Sequence, residues 1–211
     1  MRTIRIAIII LLAIYSGNRI MAQSDHLEPT SGIFDSSDSQ LEYYGKVKKI
    51  LFQGLNYSPA IRFLIIPSFS PESVLEIAFD RTTKKLFLVY QVCDKNIWYS
   101  KNGDSTNVAR KRKEISGESV ELVNKLFETA IEGVEFQKEP FLGCDGENYF
   151  FSVKKFGFKT GMTWSPNKET KMRRLVDIGL ALVKLATNEK MFVQLDDNLK
   201  SQIIRLTNDL K

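Results

Sequence analysis

The sequence predicts an α+β fold, a mainly antiparallel sheet packed against three to four amphipathic helices. Three features of the chain predict it. Runs rich in Ile, Leu, Val and Phe at 60–66, 75–79 and 86–92 read as strands separated by turn residues. Segments 123–134 and 172–186 repeat apolar residues at the helical period. The strands come largely in runs, with helices after them, the order expected of α+β rather than of alternating units.

The first element is an export signal. A short basic start, Met1-Arg2-Thr3-Ile4-Arg5, precedes an apolar run over 6–15 and a polar stretch ending at Ala22. Residues 1–22 therefore read as a signal peptide cut between Ala22 and Gln23, although Ile20 departs from the small residue preferred three positions before a cut. Spanning a bilayer takes roughly 20 apolar residues, so a retained anchor fits less well. Cleavage removes Arg2, Arg5 and Arg19 and no acid, which lowers the net charge from +5 to +2. That balance gives no reason to expect nucleic acid as a partner. The destination is the periplasm or the extracellular space, with no transmembrane segment left after cleavage.

Residues 23–39, poor in large apolar side chains, read as a mobile lead-in, and 40–211 as a single α+β domain. A helix is expected over 40–55, with Tyr43, Val47, Ile50 and Leu51 near one face. The strand at 60–66 ends at the loop Pro67-Ser68-Phe69-Ser70-Pro71. Strands at 75–79 and 86–92 are joined by a hairpin at 80–84, and the second, apolar on both faces, is expected inside the sheet. Ile97-Trp98-Tyr99 reads as a short strand, Asn102-Gly103 as a turn and 106–115 as a polar edge strand. The helix through Val123, Leu126, Phe127, Ala130 and Ile131 stops at Gly133. Asp145-Gly146 marks a hairpin turn before an aromatic strand over 149–158, and Trp164 ends the next strand. Ser165-Pro166 is expected to open a helix whose inner stripe includes Gly179, a costly residue there unless a neighbour approaches closely. A last helix begins near Asp196-Asp197.

Several chemistries lack their residues. The only histidine, His26, lies in the lead-in, so a Ser/His or Cys/His nucleophile system has no imidazole in a rigid site. With two cysteines far apart, no zinc set forms either, and no cofactor is expected. Ser165-Pro166-Asn167-Lys168 and Lys159-Thr160-Gly161 match two penicillin-binding-protein motifs, but in the wrong chain order. Asp145, Glu147 and Asn148 fall short of a calcium loop, and Asp196-Asp197 reads as a helix start.

Two features point to binding instead. Arg110-Lys111-Arg112-Lys113 on a strand sends two cations to each face, as a charged edge or as a docking patch for an anionic partner. Trp98, Tyr99, Tyr149 and Phe151 belong to an aromatic set, read either as core or as an exposed binding surface. In an oxidising compartment Cys93 and Cys144 are candidates for a disulfide, with two separate buried thiols as the alternative.

The segment Cys144-Asp145-Gly146-Glu147-Asn148-Tyr149-Phe150-Phe151, followed by Thr163-Trp164-Ser165-Pro166, resembles a pattern of small exported bacterial α+β proteins. The shared features are turn and cap chemistry, which imply architecture and no activity. The expectation is therefore a non-enzymatic exported binding or interaction protein whose partner is another envelope or extracellular macromolecule. A carboxylate-based hydrolase of envelope or extracellular glycans and a structural envelope component are the alternatives.

Overall fold

Strands with apolar side chains on both faces can sit only where both faces are covered. Segment Ile61–Pro67 is such a strand, buried at six of its seven positions. The structure, a computed structural model, describes residues 25–30, 38–57, 59–101, 105–136, 145–154 and 157–211. The signal segment 1–22, the turn at Asn102-Gly103 and Cys144 lie outside the described residues.

Eight strands form one sheet: β1 (Glu28–Pro29), β2 (Ile61–Pro67), β3 (Ser73–Asp80), β4 (Lys85–Cys93), β5 (Val108–Ile115), β6 (Glu147–Lys154), β7 (Phe158–Trp164) and β8 (Phe192–Val193). Their order across the sheet is β1-β7-β6-β2-β3-β4-β5-β8. Neighbours are antiparallel except for the parallel pair β5–β8. The helices among the described residues are α1 (Asp38–Leu51), α2 (Gly117–Glu132), α3 (Lys171–Thr187) and α4 (Asp197–Asp209). This is the α+β architecture the sequence predicts.

Residue alternation divides the sheet between two cores. Phe63, Leu75, Ile77, Leu88, Tyr149 and Phe151 face α2, α3 and α4 and build the larger one. Leu64, Ile66, Val74, Cys93 and Phe150 face the other way and are covered by Tyr44, Val47 and Leu51 of α1. Three of the helix starts are capped by side chains: Ser116 Oγ accepts from Ser119 N–H, Thr170 Oγ1 from Arg173 N–H, and Asp196 Oδ1 from Leu199 N–H at 2.8 Å.

Several expectations need correction. Ser165 does not open a helix; α3 begins at Lys171 under the Thr170 cap. Ser165 takes a positive φ of 33° and its Oγ accepts from Glu147 N–H at 2.7 Å, so it fastens the end of β7 to the start of β6. The expected single strand over 149–158 breaks at Lys154, and Phe158 begins the return strand. Ile97-Trp98-Tyr99 is a turn, in which side chains take the Ile97 and Trp98 amides that a strand ladder would need. Part of the lead-in is built into the fold. Leu27 is fully buried, Glu28–Pro29 pairs with β7, and His26 lies 3.5 Å from Glu135. One buried leucine and a short ladder are enough to hold so brief a segment. Among the described residues β8 pairs with the outer edge of the polar strand β5 only at Glu114 and Ile115.

Candidate functional site

The loops at one end of the sheet meet α1 and leave a cleft of about 270 Å3. Tyr43 and Tyr44 of α1 line it together with Trp98 and Tyr99. Ser68, Asp145 and Asn148 supply the polar groups. Trp98 meets Tyr43 edge to face at 5.0 Å, and Tyr99 stacks against Phe69 at 6.5 Å.

Buried polar side chains fix these loops. Asn96 Nδ2 donates to Ser70 O at 2.8 Å and, more weakly, to Pro67 O and Ser68 O, while its Oδ1 accepts from Trp98 N–H at 2.9 Å. The Glu72 carboxylate is fully buried and accepts from Tyr43 Oη at 2.6 Å and from Ile97 N–H at 2.9 Å. Ser68 exchanges hydrogen bonds with Gly146, which ties the third segment in. A satisfied buried network of this kind holds loops in one arrangement. It also sets the local acidity. Burial, and then the hydrogen bond to Glu72, holds the Tyr43 phenol far above its ordinary range. Burial with help from Glu72 and Asp94 pushes the Cys93 thiol up to about 12.

The structure separates the residues that sequence reasoning grouped. Trp98 and Tyr99 are exposed at the cleft. Tyr149 and Phe151 are core residues against Phe63, so they belong to no exposed surface; alternation turns them toward the helices. Arg110 and Arg112 project to the α1 side of the sheet, near a second cavity. Lys111 and Lys113 point to the opposite face, abreast of Tyr90 and Leu88. The basic run thus divides two and two between the faces, as strand alternation requires. Cys93 is a free thiol buried under α1, and its suggested partner Cys144 lies outside the described residues.

Glu72, Asn96 and Tyr43 were not legible as a set, since they come from two loops and a helix with no common spacing. The only local sign was a glutamate, Glu72, beside two prolines and an apolar strand. On the same sheet face, Arg62 of β2 and Glu76 of β3 form a buried ion pair at 3.1 Å. The Arg62 guanidinium also lies over the Phe52 ring at 4.6 Å. Arg62 Nε and Gln91 Oε1 are buried without a hydrogen-bond partner among the described residues.

Among the described residues no cluster of His, Cys, Asp and Glu is arranged to hold a metal ion, and no helix is long and apolar enough to cross a membrane. Comparison with known protein families, curated proteins and solved structures finds no match to this chain.

Proposed function

We propose that this chain is an exported, non-enzymatic binding protein that holds a glycan segment of an envelope or extracellular macromolecule in the aromatic cleft. The observation that supports it is the rim: Phe69, Trp98 and Tyr99 are 68%, 54% and 61% exposed on loops held by buried Asn96 and Glu72. Large aromatics kept in water on rigid loops are characteristic of a binding surface. Sugar rings offer apolar C–H faces to such side chains, and their hydroxyls suit the oxygens of Asp145, Asn148 and Ser68.

Export rests on the layout of residues 1–22 and limits the partner to molecules outside the inner membrane. Binding is favoured over hydrolysis because cleaving a glycosidic bond takes two carboxylates flanking the scissile bond. Asp145 is the one carboxylate that lines the cleft among the described residues. Glu72 lies fully buried behind Tyr43, engaged by two hydrogen bonds.

The test is a titration of the purified protein with soluble cell-wall fragments and neutral polysaccharides, read by tryptophan fluorescence and calorimetry. Binding that weakens about tenfold or more in Trp98→Ala, with the fold intact by circular dichroism, is expected. If no glycan binds and the protein retains no component of an envelope extract, the reading is withdrawn.

A further inference from the structure

The half of the sheet face that α1 leaves uncovered holds a second cavity, of about 630 Å3, between the 52–56 turn and strands β3, β4 and β5. Its floor is set by register: Glu76, Val89 and Arg112 lie abreast on neighbouring strands, and Ala78 and Phe87 form the next row. Arg81 and Arg110 complete a cationic rim.

Both acids in this cavity already have partners. Glu76 is bound to Arg62. Asp80 is bound to Arg112 at 2.5 Å and accepts from the Thr82 and Thr83 amides. Counting Arg62 behind Glu76, four guanidinium groups face two carboxylates here. The surplus falls on Arg81 and Arg110, whose side chains form no ion pair among the described residues.

One guanidinium is held in place and a second lies close by. Arg112 lies over the Phe87 ring at 3.5 Å while bonded to Asp80, which leaves further N–H donors free. The Arg110 guanidinium lies against the turn at Gly54, where a Cβ would stand 3.1 Å from Nη1 and where φ is +74°. A residue with a side chain at 54 would be strained and would crowd Arg110. On one strand face, residues two apart are roughly 7 Å from each other. Two such forks can close on one oxyanion from both sides, a geometry that suits phosphate and carboxylate.

We propose that this cavity is a binding site for an oxyanion, phosphate or carboxylate, carried on a sugar-sized organic ligand and clasped between Arg110 and Arg112. The volume lies within the range of small-molecule sites, about 300–1,000 Å3. The Phe87 and Ala78 side chains, on the same sheet face, give the ligand body an apolar side to rest on. The site is separate from the aromatic cleft and does not depend on it.

Calorimetric titration of the full-length protein with glucose 6-phosphate, glucuronate, inorganic phosphate and glucose tests this. One or both sugar anions should bind, with glucose silent and affinity falling as salt is raised. The tighter of the two identifies the preferred oxyanion. Arg110→Gln should weaken binding about tenfold or more, Arg110→Lys should recover only part of it, and Trp98→Ala should leave it unchanged. No binding of any anion to folded protein at about 10 mM would overturn the proposal. Undiminished binding in folded Arg110→Gln would do the same. Inorganic phosphate binding as tightly as glucose 6-phosphate would overturn the part assigned to the organic body.

Discussion

Phe63 lies against the backbone of Gly179, so closely that a Cβ at 179 would stand 2.6 Å from the ring. The contact joins β2 to α3 at the middle of the larger core, where Phe63 is fully buried and also meets Phe151 at 4.9 Å. The glycine that weakens α3 as an isolated helix is therefore the residue that lets it seat on the sheet.

Gly179→Ala should destabilise the protein. Helix propensity favours alanine by about 1 kcal/mol, but overpacking a ring with no room to move costs about 1–3 kcal/mol. A lower midpoint of urea unfolding with an unchanged slope is expected. An equal or higher midpoint would show that Phe63 yields easily.

Glu76→Gln should cost more. Arg62 and Glu76 are 5% and 1% exposed, and burial already pulls the Arg62 guanidinium below its ordinary value while Glu76 acts to hold it up. Removing the carboxylate charge leaves a buried cation unpaired, a loss of about 3–5 kcal/mol. The double change Arg62→Met with Glu76→Leu should recover most of it, since neither charge then remains. Comparing the three unfolding curves decides the point: a double variant no more stable than Glu76→Gln contradicts the desolvation account.

Asn96→Ala should loosen the cleft without melting the sheet. It removes the amide that joins three carbonyls of the 67–70 segment and the oxygen that holds Trp98 N–H. The expected cost is about 1–3 kcal/mol. In hydrogen exchange, the Ile97 and Trp98 amides should speed up while those of β2 and β3 stay protected. Uniform acceleration across the chain would mean that Asn96 supports the whole fold instead.

The pH dependence should be strongest on the alkaline side. The fold favours the neutral Cys93 thiol, raised from an ordinary value of 9.0 to about 12, and the neutral phenols of Tyr43, Tyr44 and Tyr149. A raised acid adds stability that is fully present below its unfolded value and is lost as the pH climbs toward the folded one. Stability should therefore fall from about pH 9 upward. In the reduced, folded protein at pH 8, Cys93 should resist iodoacetamide and react fully once urea unfolds the chain. Rapid labelling of folded protein would contradict the buried thiol.

Much of the fold was legible because it depends on short-range pattern. An unbroken apolar run placed β2, period-2 alternation placed β3 and β4, the 3.6-residue stripes placed α2 and α3, and Asp196 marked the cap of α4. The misplaced α3 start shows the boundary of this kind of reading. Ser165 and Thr170 are both good caps, and the choice between them fell to Glu147, whose amide takes the Ser165 hydroxyl.

By itself, then, the sequence determined most of the strands and helices and the need for a small residue at 179. Tertiary structure alone decided that α1 covers one half of a sheet face and leaves the other open. It also decided that Tyr149 and Phe151 turn inward while Trp98 and Tyr99 stay in water, and that Arg62 finds Glu76 and Tyr43 finds Glu72. The reason is range. Periodicity reports contacts within a few residues, whereas the buried polar pairs join residues 14 and 29 positions apart and strand register sets Ile61 beside Val153, which only the closed sheet brings together.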